Sequence, residues 1–249
     1  MAGVRITYRK LKKKFKLYLT VNWFATWYFN LKMFPFSVAR KLPVFFYGSV
    51  RFQNLKGKFK IEAPIERGMI GFGQAYEKTT RHLGLSELSL EGTIVCHGRI
   101  QFGKDYFIHV SEEAILILGN MAGMATLGKI ICTNKITFST YARVGSECQI
   151  IDTDFHQMID TRTNKKLPIS QPIVLGEYNY VGRWSSVMKG TKTPNYCTIA
   201  SNTLCNKDYT SYGNNTLIGG IPAKLLKENI SRDWEGEREM MERSLVLNL

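Results

Sequence analysis

Residues 175–217 of the chain read LGEYNY VGRWSS VMKGTK TPNYCT IASNTL CNKDYT SYGNNT L, written here in hexads, that is, in groups of six. The first place of the hexads is mostly aliphatic. The second place is small in several hexads, as in Gly182, and the fifth place is mostly small, as in Ser185. The first places are Leu175, Val181, Val187, Thr193, Ile199, Cys205, Ser211 and Leu217. Self-similarity at a fixed short period is typical of a solenoid.

A period of six has a direct physical interpretation. Each hexad forms one short strand and a turn, with one aliphatic side chain pointing inward and small residues at the corner. Three hexads close one triangular coil, and stacked coils bury a continuous column of side chains while backbone hydrogen bonds run between them. The pattern therefore predicts an all-β solenoid, in which Cys197 and Cys205 are small core residues.

The repeat extends upstream and is interrupted once. One frame contains Phe138, Val144 and Ile150, and an earlier one begins at Leu118. Between Ile150 and Leu175 the hexads stop, and the chain inserts a polar loop at about 152–172 that begins Asp-Thr-Asp-Phe-His. A loop that leaves a rigid scaffold is where a functional site is expected.

The segments Val174–Gly182 and Gly219–Lys224, with the hexads between them, resemble the hexapeptide-repeat acyltransferases. This family includes sugar O-acetyltransferases related to the maltose and galactoside acetyltransferases. The resemblance is strong from about Leu118 to Lys227 and extends more weakly to about residue 51. It implies a left-handed parallel β-helix, a homotrimer, and acetyl-coenzyme A (acetyl-CoA) bound in the cleft between neighbouring prisms.

The same resemblance assigns the chemistry to the loop. Acetyl transfer to a sugar needs a base that accepts the hydroxyl proton, and imidazole suits this near neutral pH. The family's catalytic histidine lies in this loop, which implies that His156 is the base. Asp154 is the first choice for orienting its ring, although Asp154 could instead cap a turn. Asp152 competes for the orienting role, as does a backbone carbonyl.

The resemblance implies contacts with the acceptor and the acetyl donor only through the aligned positions of the residues. Asp152 and Tyr141 are candidate substrate contacts, and Tyr141 stands where the family often has Asn, which suggests a different acceptor. Lysines and backbone N–H groups suit the phosphates of the donor. The candidate cofactor residues are Arg183, Ser201, Asn206, Lys207, Lys224 and Lys227. No metal site is expected, since the five cysteines form no CxxC pair and His82, His97 and His109 are scattered.

The net charge of +14 is concentrated in the leader, residues 1–50, and the ten residues that follow it. Residues 1–60 hold fourteen Lys or Arg and no acid, whereas the rest is neutral, which argues against nucleic acid as a partner. After a basic cluster over 5–16, the chargeless stretch Leu17–Leu31 has Asn22, Thr26 and Asn30 at intervals of four. This spacing predicts a helix with one polar strip and a wide apolar face.

The sequence of the leader is compatible with two interpretations. Residues 1–34 could contact an anionic membrane surface, because lysines attract acidic headgroups and aromatic side chains settle at the interface. Alternatively, the helix packs on the protein's own body or on a neighbouring subunit. The odd cysteine count favours a reducing, cytoplasmic location, with peripheral contact at the inner face of the cell membrane.

The expected organisation is a leader over 1–50, a β-helix over 51–227 and a helical tail over 228–249, capped by Ser231 or Asp233. The leader and the tail are expected to protect the two ends of the solenoid.

The leader segment Tyr28–Pro43 is similar to that of a subgroup associated with bacterial surface polysaccharide synthesis. The leading hypothesis is an acetyl-CoA-dependent O-acetyltransferase acting on a sugar hydroxyl of such a polysaccharide or its precursor. The alternatives are an N-acetyltransferase acting on an amino-sugar and a non-catalytic scaffold at the membrane.

Overall fold

The computed structural model describes residues 18–74 and 84–245. The basic cluster over 5–16 and His82 lie outside the described residues. Three sheets of stacked strands form the body, with nine, seven and five strands. Sheet 1 contains β1 (Val44–Phe46), β4 (Ile70–Phe72), β7 (Ile100–Phe102), β10 (Gly123–Met124), β13 (Arg143–Val144), β18 (Tyr180–Val181), β20 (Thr198–Ile199), β22 (Leu217–Gly220) and β23 (Ala223–Lys227).

The other two sheets complete each coil. Sheet 2 contains β2 (Ser49–Leu55), β5 (Leu85–Leu90), β8 (Phe107–Val110), β11 (Lys129–Cys132), β14 (Gln149–Ile151), β19 (Ser186–Met188) and β21 (Leu204–Cys205). Sheet 3 contains β3 (Lys58–Ile61), β6 (Thr93–Cys96), β9 (Ile115–Leu118), β12 (Lys135–Phe138) and β17 (Ile173–Leu175). A separate hairpin pairs β15 (Ile159–Asp160) with β16 (Lys165–Lys166).

The order of the strands shows the winding. The chain passes from sheet 1 to sheet 2 to sheet 3 and returns to sheet 1, and strands of successive coils pair in parallel. This is a three-sided parallel β-helix, as the six-residue period predicts. We call the turns from sheet 1 to sheet 2 the first corner, those from sheet 2 to sheet 3 the second corner, and those from sheet 3 back to sheet 1 the third corner.

The inward column follows the predicted register through most of the repeat. Leu175, Val181, Val187, Ile199 and Cys205 are all fully buried. Burial raises the pKa of the Cys197 thiol to about 11 and that of the Cys205 thiol to about 12, so both stay protonated at neutral pH. Their predicted place in the core is confirmed.

The register shifts in the last coil. Ser211 is exposed in a 3₁₀ turn, Thr210–Tyr212, and Ile218 rather than Leu217 is fully buried. Ile199 pairs with Ile218, which is one residue further along than the spacing between Val181 and Ile199. The turn takes up the extra residue, and this displaces the predicted Ser211 and Leu217 positions.

Two glycines are required by the close stacking of coils. A Cβ atom on Gly182 would lie 2.5 Å from the backbone nitrogen of Ser201, and one on Gly176 would lie 2.5 Å from the carbonyl oxygen of Pro194. Both contacts are with backbone atoms, so a side chain at either position would force the neighbouring coil to shift. The small second places of the hexads are therefore explained by coil-to-coil contact.

Helix α1 (Trp23–Met33) closes the N-terminal end of the prism. It begins after Asn22, whose side chain accepts a hydrogen bond from the backbone N–H of Ala25, and it ends before Pro35. Phe29 is fully buried against Phe46 and Phe59, at the end of the core column. A short helix, α2 (Phe36–Ala39), follows.

The polar strip of α1 faces the body. The backbone N–H of Phe46 donates to Thr26 Oγ1 at 3.1 Å, and Asn30 Nδ2 donates to the carbonyl oxygen of Val44 at 2.7 Å. The backbone N–H of Val44 in turn donates to Asn30 Oδ1 at 3.3 Å. These side chains occupy the place of a preceding strand and satisfy the edge of β1. The helix therefore packs on the body, with its apolar face outward.

The other end of the prism differs from the expectation. It is closed by β23, which folds back antiparallel to β22. Helix α3 (Trp234–Leu245) does not cap this end; it lies along the third corner, where Trp234 contacts Tyr141 and Tyr178 edge-on. The N-terminal cap is Asp233, whose carboxylate accepts from the backbone N–H of Gly236 at 2.9 Å. The tail packs along the side of the prism because the tyrosine rings at the third corner form an apolar surface for Trp234.

Among the described residues, no helix is long and apolar enough to cross a membrane.

Candidate active site

The insertion predicted at 152–172 folds as a hairpin that projects from the second corner of the fifth coil. We call residues 152–171 the arm. Its base is antiparallel, since Thr153 bridges to Ser170 and the backbone N–H of Asp154 donates to the carbonyl oxygen of Ile169 at 3.0 Å. Its tip is formed by β15 and β16. The arm is thus an ordered projection from a rigid scaffold.

Asp152 anchors the base of the arm. Its side chain is fully buried, and its carboxylate accepts from the backbone N–H groups of Thr133 and Asn134 at 2.7 and 2.9 Å. The Thr133 hydroxyl also donates to it, at 2.9 Å. All three donors belong to the preceding coil. The hydrogen bonds of the Asp152 carboxylate thus go to the preceding coil and anchor the arm there. Its predicted roles, orienting the base or contacting the substrate, stay predictions.

Asp154 does not meet His156 in the structure. Its carboxylate pairs with the ammonium group of Lys189 at 2.5 Å, and the same ammonium group donates to the carbonyl oxygen of Pro168. Lys189 therefore joins the outgoing and returning strands of the arm at the second corner of the next coil. Asp154 positions the arm, and the expected contact with the imidazole is not made.

His156 lies between the base of the arm and β15 and is exposed. Within the part of the chain that the structure describes, its ring has no hydrogen-bond partner. Phe155, next to it, is 59% exposed and has a positive φ of 62°. The arm thus presents an unobstructed imidazole together with an apolar ring, which suits contact with another molecule.

Tyr141 lies at the third corner of the same coil, whereas the arm leaves from the second corner. It is buried beneath α3, and its hydroxyl donates to a carboxylate oxygen of Glu242 at 2.9 Å. Burial, with Glu242 beside it, raises the pKa of this hydroxyl to about 12. The structure therefore does not bring Tyr141 to His156 within one chain, and its contact with the acceptor stays a prediction.

Two of the candidate cofactor residues lie at the first corner. Arg183 is partly exposed and donates to Glu147 of the preceding coil at 2.9 Å, with its guanidinium over the Trp184 ring. The Trp184 indole and the Arg183 guanidinium hold the pKa of Glu147 below its ordinary value. Ser201, one coil further, is exposed. With exposed Trp184, these residues form a ridge of one cation, one hydroxyl and one aromatic plane.

The other candidates fall in two places. Asn206 and Lys207 lie at the second corner, two coils above the base of the arm, and Lys207 sits over the Tyr209 ring at 5.5 Å. Lys224 and Lys227 are exposed on β23. The six candidates therefore occupy the first corner, the second corner and the last hairpin, and one chain does not gather them into a single cluster.

Lys189 was not among the residues predicted for the site. The repeat contains a signal for it, because Ile150 pairs with Val187 and Ile151 with Met188, which places Lys189 directly above Asp152. Extending the hexad alignment through the insertion would have found this neighbour. The stack of Tyr141, Tyr178 and Tyr196, with centroids 5.1 and 4.8 Å apart, was also not expected. These tyrosines stand in equivalent corner positions of successive coils.

Within the described ranges, no group of three or more His, Cys, Asp or Glu side chains is placed to hold a metal ion. The five cysteines are free and buried.

Comparisons with known proteins give fold-level similarity only. No protein-family model matches the sequence, and no curated protein is significantly similar to it. Among solved structures, the polySia-specific acetyltransferase NeuO is 17% identical over 76% of this chain and 78% of its own, with a TM-score of 0.40. A hexapeptide-repeat acetyltransferase from Vibrio cholerae O1 biovar eltor, solved with acetyl-CoA, is 19% identical over 54% of this chain and 70% of its own, with a TM-score of 0.45. A mutant of AntD, an N-acyltransferase from Bacillus cereus solved with dTDP-4-amino-4,6-dideoxyglucose and coenzyme A, is 11% identical over 81% and 88%, with a TM-score of 0.47.

Proposed function

We propose that this chain is an acetyl-CoA-dependent O-acetyltransferase that modifies a sugar hydroxyl of a bacterial surface polysaccharide or its precursor. The observation that carries the proposal is the arm, an ordered hairpin that presents the exposed His156 from a parallel β-helix. Its support comes from the sequence, since the repeat and the histidine loop resemble those of the hexapeptide-repeat acyltransferases. On this resemblance the helix winds left-handed.

The chemistry needs one base and no covalent enzyme intermediate. The neutral imidazole of His156 accepts the proton of the sugar hydroxyl as that oxygen attacks the thioester carbonyl. The tetrahedral oxyanion collapses, the carbon–sulfur bond breaks, and the departing thiolate takes back a proton from the imidazolium. The products are the acetyl ester and free coenzyme A. The oxyanion needs a hydrogen-bond donor, most simply a backbone N–H.

The donor is held by the ridge at the first corner and by the lysines of the second corner and last hairpin. Arg183, Lys207 and Lys224 supply cations for phosphates, and the exposed Trp184 plane suits stacking.

We place this site between neighbouring chains of a homotrimer. Large exposed apolar side chains on the arm support such packing, because exposed clusters of this kind mark contact surfaces. They are Phe155, Met158, Ile159, Leu167 and Ile169. A cytoplasmic location suits the supply of the donor.

Replacing the histidine tests the proposal. We expect His156→Ala to lower the turnover of acetyl-CoA in the presence of a sugar acceptor by about a hundredfold or more, because the base is lost. His97→Ala is the matched control, since His97 is also exposed but lies at the third corner, 3.6 Å from Glu62. Free thiol is measured as coenzyme A is released. Near-normal turnover in His156→Ala contradicts the assignment of the base.

The acceptor decides between the related activities. Neutral sugars and amino-sugars are offered in parallel, and the product is identified by mass spectrometry with alkaline treatment, which removes esters but leaves amides. An ester supports O-acetylation, and an amide shows N-acetylation instead. No thioester consumption with any acceptor, from protein that binds the donor, favours the non-catalytic scaffold.

A further inference from the structure

The outward face of α1 is an apolar surface that the fold does not use. The opposite side of α1, with its polar strip and Phe29, packs on the end of the prism and satisfies the edge of β1. Facing away from the body, Phe24 is 84% exposed, Leu31 51% and, on the adjoining α2, Phe36 70%. Trp27 and Tyr28 are also exposed on this side. We call these five residues the end face.

The end face is too apolar to be an ordinary solvated surface. Phe24, Trp27, Tyr28 and Leu31 follow the three- and four-residue spacing that puts side chains on one side of a helix. Phe24 and Tyr28 stack with their ring planes 3° apart, which makes a continuous apolar strip. A contiguous patch of this kind marks a contact site for a protein or a membrane.

The segments next to the end face are rich in cations. Seven cations lie in the described residues 18–61, all exposed, and no acid occurs in this range. They are Lys32, Arg40, Lys41, Arg51, Lys56, Lys58 and Lys60. Within the described residues none of the seven makes an ion pair. Seven further cations precede them in the sequence over 5–16. The first acids of the chain, Glu62 and Glu66, follow in the same coil, where they lie 3.6 Å from His97 and 2.9 Å from Arg99. The end of the prism therefore combines an aromatic centre with seven cations that these acids do not pair.

We propose that the end face docks on a lipid bilayer that contains anionic lipids. Trp27 and Tyr28 settle at the headgroup level, Phe24, Leu31 and Phe36 enter the acyl boundary, and the cations neutralise acidic headgroups. A second copy of the same face fits less well, since it would bring two sets of unpaired cations together. Nucleic acid fits less well because the centre of the surface is apolar rather than cationic.

The docking fixes the height of the arm above the bilayer. Helix α1 lies across the end of the prism, and four inter-coil steps separate β1 from β13, the strand of the arm's coil. At about 4.8 Å per step, with about 10 Å for the helix, the arm stands about 30 Å from the lipid surface. This part rests on the proposed function: the acceptor is then a membrane-anchored glycan long enough to reach the arm.

Vesicle sedimentation of the full-length protein tests the docking. The vesicles are phosphatidylcholine alone or with phosphatidylglycerol, and no acetyl donor or acceptor is present. We expect sedimentation with the anionic vesicles at low salt and partial release at high salt, because salt screens the charges but not the apolar contact. Point variants are preferred to deletion, since removing α1 would open the core.

Two variants separate the contributions. Phe24→Ser/Leu31→Ser/Phe36→Ser should lower vesicle partitioning at least tenfold, whereas Ile221→Ser/Leu226→Ser removes exposed apolar side chains from the opposite end and should not. Lys32→Gln/Arg40→Gln/Lys41→Gln should weaken binding at low salt and reduce its salt dependence. The proposal is overturned if the full-length protein ignores anionic vesicles at every salt concentration, or if the serine variant binds as well as the wild type. It is also overturned if that variant changes the oligomeric mass without vesicles, which would make the end face an interface between copies.

An activity readout keeps this inference separate from the proposed function. With docking, the serine variant transfers acetyl to a soluble sugar normally but loses transfer to a vesicle-anchored glycan. Equal transfer to both acceptors overturns the docking and leaves the proposed function intact. Absence of transfer to either acceptor, by the wild type as well, counts against the proposed function, and the sedimentation result then decides the docking alone.

Discussion

At the scale of single residues, the insertion shows which roles a sequence can suggest and which need coordinates. The pair of acids before His156 suggested an orienting partner for the imidazole, yet both carboxylates hold the arm in place. Asp152 ties it to the coil below, and Asp154 ties it to Lys189 of the coil above. When a carboxylate lies near a histidine in sequence, the imidazole competes for its oxygens with every other donor that the fold brings close. Only the fold shows that backbone N–H groups and an ammonium group take precedence.

Asp152 gives the residue-scale prediction. Asp152→Ala leaves the backbone N–H groups of Thr133 and Asn134 without their acceptor, so we expect the free energy of unfolding to fall by about 2–4 kcal/mol. Asp152→Asn keeps one acceptor oxygen and should lose less. Chemical denaturation followed by circular dichroism measures the change.

Glu112→Ala is the control for this prediction. Glu112 is exposed at the second corner two coils below, where its replacement should alter stability by no more than about 0.5 kcal/mol. If Asp152→Ala is as stable as Glu112→Ala, Asp152 is not the anchor of the arm.

At the scale of elements, the leader helix was predictable and its orientation was not. The spacing of Asn22, Thr26 and Asn30 predicts a helix with a polar strip, and α1 contains that strip. A polar strip usually faces water. Here it faces the body, because the unpaired N–H and C=O groups of the edge strand β1 are costly to leave unsatisfied. The sequence alone does not reveal that a strand edge stands next to the helix.

Asn30 gives the element-scale prediction. The side-chain amide of Asn30 is fully buried and forms hydrogen bonds with both the N–H and the C=O of Val44. We therefore expect Asn30→Ala to lower the free energy of unfolding by about 2–3 kcal/mol. Leu31→Ala is the neighbouring control, since Leu31 faces outward and its truncation should cost little. The midpoint of thermal unfolding, read by circular dichroism, ranks the two. A larger loss for Leu31→Ala would mean that α1 packs with its apolar face inward, contrary to the structure.

At the scale of the whole molecule, the period of six predicts the solenoid, because each coil repeats the same inward column. Leu175, Val181 and Val187 fall where the hexads place them. The exceptions are local: the 3₁₀ turn at Thr210–Tyr212 adds one residue, and the tail lies along the third corner. The place of the tail depends on contacts distant in sequence, since Trp234 packs on Tyr141 and Tyr178. A short period describes neighbouring coils and contains no information about such contacts.

The assembly is the prediction that belongs to this scale. The arm exposes apolar side chains far from its own core, so we expect the protein to be a trimer in solution, with light scattering giving three times the chain mass of 28.5 kDa. Phe155→Ser/Ile159→Ser should weaken the trimer, because burial of these side chains against a neighbour stabilises it. Leu226→Ser, exposed on the last hairpin, is the control and should leave the mass unchanged. A monomer that turns over acetyl-CoA at the full rate would show that each chain holds a complete site. In that case the candidates at the first and second corners would have to bind the donor across a single sheet of one chain.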